Sequence, residues 1–186
     1  MSIMIQIGHL ELSQFSIKDI RELYCIRNHE SVRPYTSKPA LIPYKSHVHW
    51  VNTELMVNKD LLLFLVRTRA GERAAGLAQL RIKGDTSEIG VMFREPSRHQ
   101  TVTSVSTVAM LHLAFEQLRL QWVVSYVIPS HAAAIRFNKS FGAWEEESDI
   151  PGMVKLRLSR DRCSEHFERI FARIKQRLRV QIGHRS

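Results

Sequence analysis

Paired cysteines, linker-like stretches and long apolar runs are all missing from this chain. Its two cysteines, Cys25 and Cys163, stand alone with no CxxC pair. That argues against a disulfide scaffold or a structural zinc site; no metal is called for, and a reducing cytoplasm fits. The six prolines and eight glycines form no linker, and no internal repeat or low-complexity tract is present. The longest apolar run, Leu61 to Val66, is far too short to span a bilayer. Met1 to Leu10 lacks the basic flank and long apolar centre of a signal peptide. Acidic residues are scarce as well: 18 Asp and Glu against 27 Lys and Arg leave a formal charge of +9.

A basic surface attracts anions, whether nucleic acid, acidic protein, anionic lipid or a phosphorylated small molecule. No Gly-aromatic RNA motif or zinc pattern accompanies the charge, so nucleic acid is not the expected partner. Much of the excess lies beyond Arg160, where Asp161, Glu165 and Glu168 are the only acids. The length, 186 residues with 44% hydrophobic composition, suits one sizeable core. We expect one domain over residues 1–160 and a basic helical tail over 161–186.

Leu10, Leu12 and Phe15 suggest a first strand near 8–13. Ser16 can cap a helix over 17–28, with Ile20, Leu23 and Tyr24 on its buried side. Pro34, Pro39 and Pro43 make 29–44 a loop, and Ser46 is a candidate cap for a helix over 47–57. Three strand candidates follow, Leu61–Arg69, Arg73–Arg81 and Ser87–Arg94, joined by turns short enough for antiparallel hairpins. Thr101–Leu118 has a helical apolar pattern. Trp122–Ile128 reads as a buried strand, and Ser130 can cap a helix over 131–140 that stops at Gly142. Ala143–Glu147 and Met153–Leu158 are candidate closing strands. Phe167, Ile170, Phe171, Ile174 and Leu178 recur at helical spacing through a basic segment, 162–179. Such a helix can dock on the domain, pair two subunits as a homodimer, or rest on an anionic membrane, docking or pairing being the simpler expectation.

This order resembles the GNAT acyltransferase fold, and two stretches carry the resemblance at residue level. Ser87-Glu88-Ile89-Gly90-Val91-Met92-Phe93, followed by Arg98 and a helix ending Leu113-Ala114-Phe115, is similar to the family's "IGV" strand, "RGxGxG/A" loop and "xAF" helix end. Val127-Ile128-Pro129-Ser130-His131-Ala132-Ala133-Ala134-Ile135-Arg136-Phe137-Asn138-Lys139-Ser140-Phe141-Gly142-Ala143 is similar to "VxPxNxAAIxFYEKxGF". The resemblance covers roughly residues 8–158. It implies an α/β fold with a mixed, mostly antiparallel sheet of about seven strands, splayed between the family's fourth and fifth and flanked by helices. More narrowly, Arg27-Asn28-His29 and His47-Val48-His49-Trp50 resemble the "RN … HxxW" pattern of enzymes that acetylate nucleotide-linked amino sugars, as in the pseudaminic acid pathway. Ribosomal-protein N-terminal acetyltransferases share a similar front end.

The resemblance implies acetyl-CoA as co-substrate and a primary amine as acceptor. Pantetheine would lie against the strand backbone at Met92, Phe93 and Arg94. The pyrophosphate would meet the loop and helix start at Arg98, His99, Gln100, Thr101, Val102 and Thr103, where the helix dipole favours anions. The family's three glycine positions fall on His99, Thr101 and Thr103. Either Thr101, Thr103 and Ser104 hydroxyls join the backbone donors there, or the site is remodelled and binds coenzyme A weakly or not at all, or the cluster is a helix cap.

The family's Tyr general acid falls on Asn138, which can donate a hydrogen bond to sulfur but cannot act as an acid. The family Asn falls on His131, which is either a proton carrier or a polar residue at a helix start. Glu88 is the candidate general base; alternation puts Glu88, Gly90 and Met92 on one face, and a solvated strand-end Glu is the plainer reading. Arg27, Asn28, His47, His49 and Trp50 are candidate acceptor contacts, with Arg33, Lys38 and Lys45 nearby. An Arg can clamp phosphate and a Trp can stack on a base or sugar, although core packing alone would also account for Trp50. The remaining alternatives are a protein N-terminus or small amine as acceptor, or a binding module of this fold without catalysis.

Overall fold

A computed structural model describes residues 2–36, 39–69, 72–95 and 100–183. Arg98, His99 and Lys38 lie outside them. One nine-stranded sheet forms the centre of the molecule. Its strands are β1 (Ser2–Ile7), β2 (Leu10–Gln14), β3 (Leu61–Arg67), β4 (Gly76–Lys83), β5 (Thr86–Phe93), β6 (Trp122–Val127), β7 (Trp144–Glu146), β8 (Val154–Ser159) and β9 (Leu178–Gly183). Their order is β7-β8-β6-β5-β4-β3-β2-β1-β9. Every pairing is antiparallel except β5 with β6, whose connection carries a helix as a parallel crossover must. The α-helices among the described residues are α1 (Ile20–Arg27), α2 (Tyr44–Trp50), α3 (Gln100–His112), α4 (Ala132–Ser140) and α5 (Glu165–Ile174).

Strand β3 shows why the run Leu61–Val66 is apolar throughout: it is buried on both faces. Leu62, Phe64 and Val66 join β1, β2, α3 and α5 in the larger core. Leu61, Leu63 and Leu65 join Leu23 and Ile26 of α1, and Val51 and Leu55 after α2, in the smaller one. Arg67 ties α1 to the sheet by bonding Asp19 at 3.1 Å and Glu22 at 2.5 Å.

Several expectations are corrected. The strand expected near 8–13 is β2, and an additional strand, β1, precedes it across the turn Gly8-His9, with Gly8 in the left-handed region (φ +63°). Ile3, Ile5 and Ile7 are the buried side of β1. The second helix begins at Tyr44, with Pro43 rather than Ser46 at its cap. His131, not Ser130, caps α4. The tail helix ends at Ile174; Leu178–Gly183 leaves it and pairs with β1 as β9. With β1 and β9 the sheet has nine strands where about seven were expected. Phe167 and Ile174 of α5 belong to the same core as α3.

Candidate active site

The opening that matters lies between β5 and β6. Their ladder runs only over Thr86–Glu88 and Trp122–Val124; beyond it the two strands are no longer paired. Arg94 donates its N–H to Ala75 O, just before β4. By strand alternation Met92 turns its peptide group the same way, while Val91 and Phe93 turn theirs to the opening. Of Met92, Phe93 and Arg94, then, only Phe93 presents backbone there, and Val91 joins it. The Arg94 guanidinium is bonded to Ala74 O.

Side chains of β5 divide by face. Ile89, Val91 and Phe93 pack toward α3, and Met92 packs toward α1 and α2. Alternation places Glu88 and Gly90 with Met92, on the α1–α2 face. Glu88 is half-buried beside the last rung of the ladder. Gly90 next to it carries no side chain, and the Gln79 side chain from β4 lies over it: a Cβ there would fall 3.1 Å from Gln79 Cγ and Nε2.

On the opposite face α3 starts seven residues after Phe93, with Gln100 and Thr101 exposed and Val102 packed inward. Thr107 Oγ1 donates to Thr103 O at 2.9 Å. α3 thus begins just past the strand whose peptides line the opening, and a helix start at that place suits a pyrophosphate on a pantetheine arm. Two of the family's glycine positions, Thr101 and Thr103, lie in this first turn; the third, His99, lies outside the described residues. A groove of about 590 Å³ at this end of the sheet is lined by His9, Arg69, Arg73 and Arg94 together with Glu72 and Glu95.

Asn138 lines the closed end of the splay with Ile89, Thr107, Val124 and Ser125. One N–H of its amide is committed to Ala134 O at 2.8 Å. His131, at the start of α4, stacks on Tyr35 of the α1–α2 loop at 3.8 Å and 21°. Burial lowers its pKa, which favours neutral imidazole. The pair spans from the acceptor-side loop to α4, a contact between residues 96 positions apart (131 minus 35).

The acceptor-side candidates separate into different roles. Asn28 clamps its own loop, donating to Ile42 O at 3.2 Å and accepting from Ile42 N at 2.8 Å. Arg33 donates to Asn28 O and Pro39 O. His47 is fully buried; its Nε2 bonds Ile20 O at 3.0 Å and its Nδ1 has no partner among the described residues. Desolvation first, and Arg27's charge after it, lower the His47 pKa against the pull of that hydrogen bond. His47 is therefore a neutral pin between α1 and α2, out of reach of a substrate. His49 is exposed on the other side of α2.

Arg27 and Trp50 remain together. The Arg27 guanidinium lies 4.0 Å over the indole, and Tyr24, Tyr44 and His47 complete the aromatic cluster. Burial lowers the Arg27 pKa, partly offset by Glu54. Among the described residues Arg27 forms no ion pair. Sequence reasoning missed Val91, Tyr35 and Tyr126, the last on the Glu88 face of β6. Only topology brings Val91 and Tyr126 to the opening and Tyr35 to His131.

The comparisons agree with the fold. The family model for the acetyltransferase (GNAT) domain matches residues 9–143. Among curated proteins none matches the sequence. Spermidine N-acetyltransferase from Vibrio cholerae, solved with CoA and spermine, superposes with a TM-score of 0.68 at 17% identity, covering 83% of this chain and 98% of that one. A candidate ribosomal-protein-serine acetyltransferase from Vibrio cholerae gives 0.66 at 15%, covering 83% and 97%. An acetyltransferase of the same family from Bacillus anthracis gives 0.67 at 18%, covering 85% and 99%. Among the described residues no helix is long and apolar enough to cross a membrane, and no cluster could hold a metal ion.

Proposed function

Because the chain belongs to the GNAT acetyltransferase family, we propose that it moves an acetyl group from acetyl-CoA to the primary amine of a sugar carried on a nucleotide. One observation carries the choice of acceptor. Arg27 is a partly buried guanidinium, stacked on Trp50 and without an ion pair among the described residues. A desolvated cation is stabilised by an anion brought to it, and an indole face suits a base or sugar ring. A polycation such as spermidine meets repulsion at the same place.

Acetyl-CoA supplies the thioester. The chain's residues hold it through the Val91 and Phe93 peptides and the start of α3, and they hold the amine on the opposite face. The amine nitrogen attacks the thioester carbonyl carbon directly, in a ternary complex; the new C–N bond forms and the C–S bond breaks. Glu88 takes the amine's proton through water. The sulfur leaves as thiolate and takes a proton from solvent, since Asn138 has none to give. A glutamate on the acceptor face at the point where the strands part supports that role.

The test is turnover of a UDP-linked 4-amino sugar against a serine-initiated peptide and spermidine. The amino sugar should give the highest kcat/KM. Arg27→Gln should raise its KM about tenfold, the worth of a charged hydrogen bond, and leave a simple amine unchanged. Preference for spermidine, or an Arg27→Gln effect equal for all amines, would sink the nucleotide-sugar reading. A preference for the peptide would favour an N-terminal acetyltransferase instead.

A further inference from the structure

Tyr126 has no part in the scheme above. It stands on β6 two residues past Val124, where pairing with β5 ends. Alternation returns it to the Glu88 face, and continuing the register sets it across the opening from Gly90. Its hydroxyl donates its one proton to Asp149 Oδ1 at 2.7 Å, in the connection between β7 and β8. Lys155 Nζ holds the same oxygen at 3.2 Å.

Desolvation, then the bond to Asp149, then the charges of Asp149, Glu88 and Glu146 push the phenol up to about 12. It stays protonated at neutral pH, and with its proton committed the oxygen can only accept. An amine brings N–H donors. Gly90 adds no side chain between the phenol and Glu88, and the Gln79 side chain that reaches over it comes from β4, on the far side of β5 from Tyr126. The Glu88 and Asp149 carboxylates also favour a cationic ammonium arriving there.

We propose that Tyr126 is a positioning residue for the acceptor: its oxygen accepts an N–H from the amine and its ring walls the opening opposite Gly90, holding the nitrogen where Glu88 takes the proton. This rests on the acyl-transfer reading of the opening, not on the acceptor being a sugar. Asp149 acts through Tyr126 by fixing the direction of its hydroxyl.

The test uses the same three amines, with dissociation constants from the CoA-loaded protein measured by calorimetry beside KM and kcat. Tyr126→Phe should weaken binding of the preferred amine and raise its KM about tenfold, with acetyl-CoA KM and melting temperature unchanged. Asp149→Asn should do the same more weakly, and the double variant should be no worse than Tyr126→Phe alone. Unchanged amine affinity in Tyr126→Phe overturns the proposal, as does a loss shared with acetyl-CoA or accompanied by a lower melting temperature. Additive effects overturn the action of Asp149 through the phenol. Amine binding without turnover sinks the acyl-transfer reading and leaves the Tyr126 result standing; binding of none of the three amines sinks both.

Discussion

The two walls of the opening are held by different means. On the coenzyme side, α4 is fixed from behind at its main-chain carbonyls by a single residue: Ser164 N donates to Phe141 O at 3.0 Å, and Ser164 Oγ donates to Ser140 O at 2.6 Å. On the acceptor side, side chains do the holding, through Asn28, Arg33, His47 and the Arg67 pairs. Backbone contacts tolerate changes of side chain. The positions where the coenzyme side departs from the family pattern are side-chain changes of that kind, while the acceptor side keeps the residues whose side chains build it.

The largest effect should come from breaking the backbone wall. Gly142 sits at φ +101°, and a Cβ there would fall on Arg162 O. Gly142→Ala should cost about 3 kcal/mol, through left-handed strain and collision together, read by urea unfolding. A cost below about 1 kcal/mol would show that the junction shifts freely. Next in size, Glu88→Gln should lower kcat about a hundredfold, as loss of a general base does, with acetyl-CoA binding retained by calorimetry. An unchanged kcat would return Glu88 to the role of a solvated strand-end residue.

The acceptor wall should show itself in acid. Burial lowers the pKa of His47, and also of His112 and His131. As pH falls below about 6.5 the unfolded chain takes up protons before the folded one does, so stability falls with pH until the folded imidazoles titrate. His47→Gln keeps a donor for Ile20 O but does not titrate, so its stability should fall less steeply between pH 7 and 5 in urea melts. An identical slope would move the acid sensitivity elsewhere. The smallest effect is expected of His131→Phe, which keeps the stack on Tyr35: kcat should stay within about twofold, whereas loss of a proton carrier lowers it about a hundredfold or more.

Elements with a long local pattern were legible. The buried period of Thr101–Phe115, the alternation of Ser87–Phe93 and the stop at Gly142 each declare themselves within one segment. The strand β9 did not, because Leu178 continues the four-residue spacing of Ile170 and Ile174 while also starting the alternation Leu178, Val180, Ile182; a window that short fits both periods. In β1 the alternation Ile3, Ile5, Ile7 is present, but Gly8 is the only mark of a turn. At the site, Glu88 and Arg27 could be named from sequence because a motif surrounds each. Val91 required knowing which side of β5 is paired. Tyr126 required knowing that β6 lies beside β5 in parallel, and the stack of Tyr35 on His131 joins residues with no local signal for each other. Asn28 and His47 matched the motif, yet their bonds are structural, since residue type alone does not tell a loop clamp from a substrate contact.

Pairing of β9 with β1 also has a kinetic side. During synthesis β1 and β2 leave the ribosome early, and the outer edge of β1 finds its partner only once residues 178–183 have followed. Until then Ile3, Ile5 and Ile7 belong to an edge strand with open hydrogen-bonding groups, a template for unwanted pairing with another chain. Closing that edge is the longest-range contact in the sheet, so it belongs to the slow end of folding. Chains interrupted before residue 178 should be far more prone to aggregate than their missing mass alone would explain.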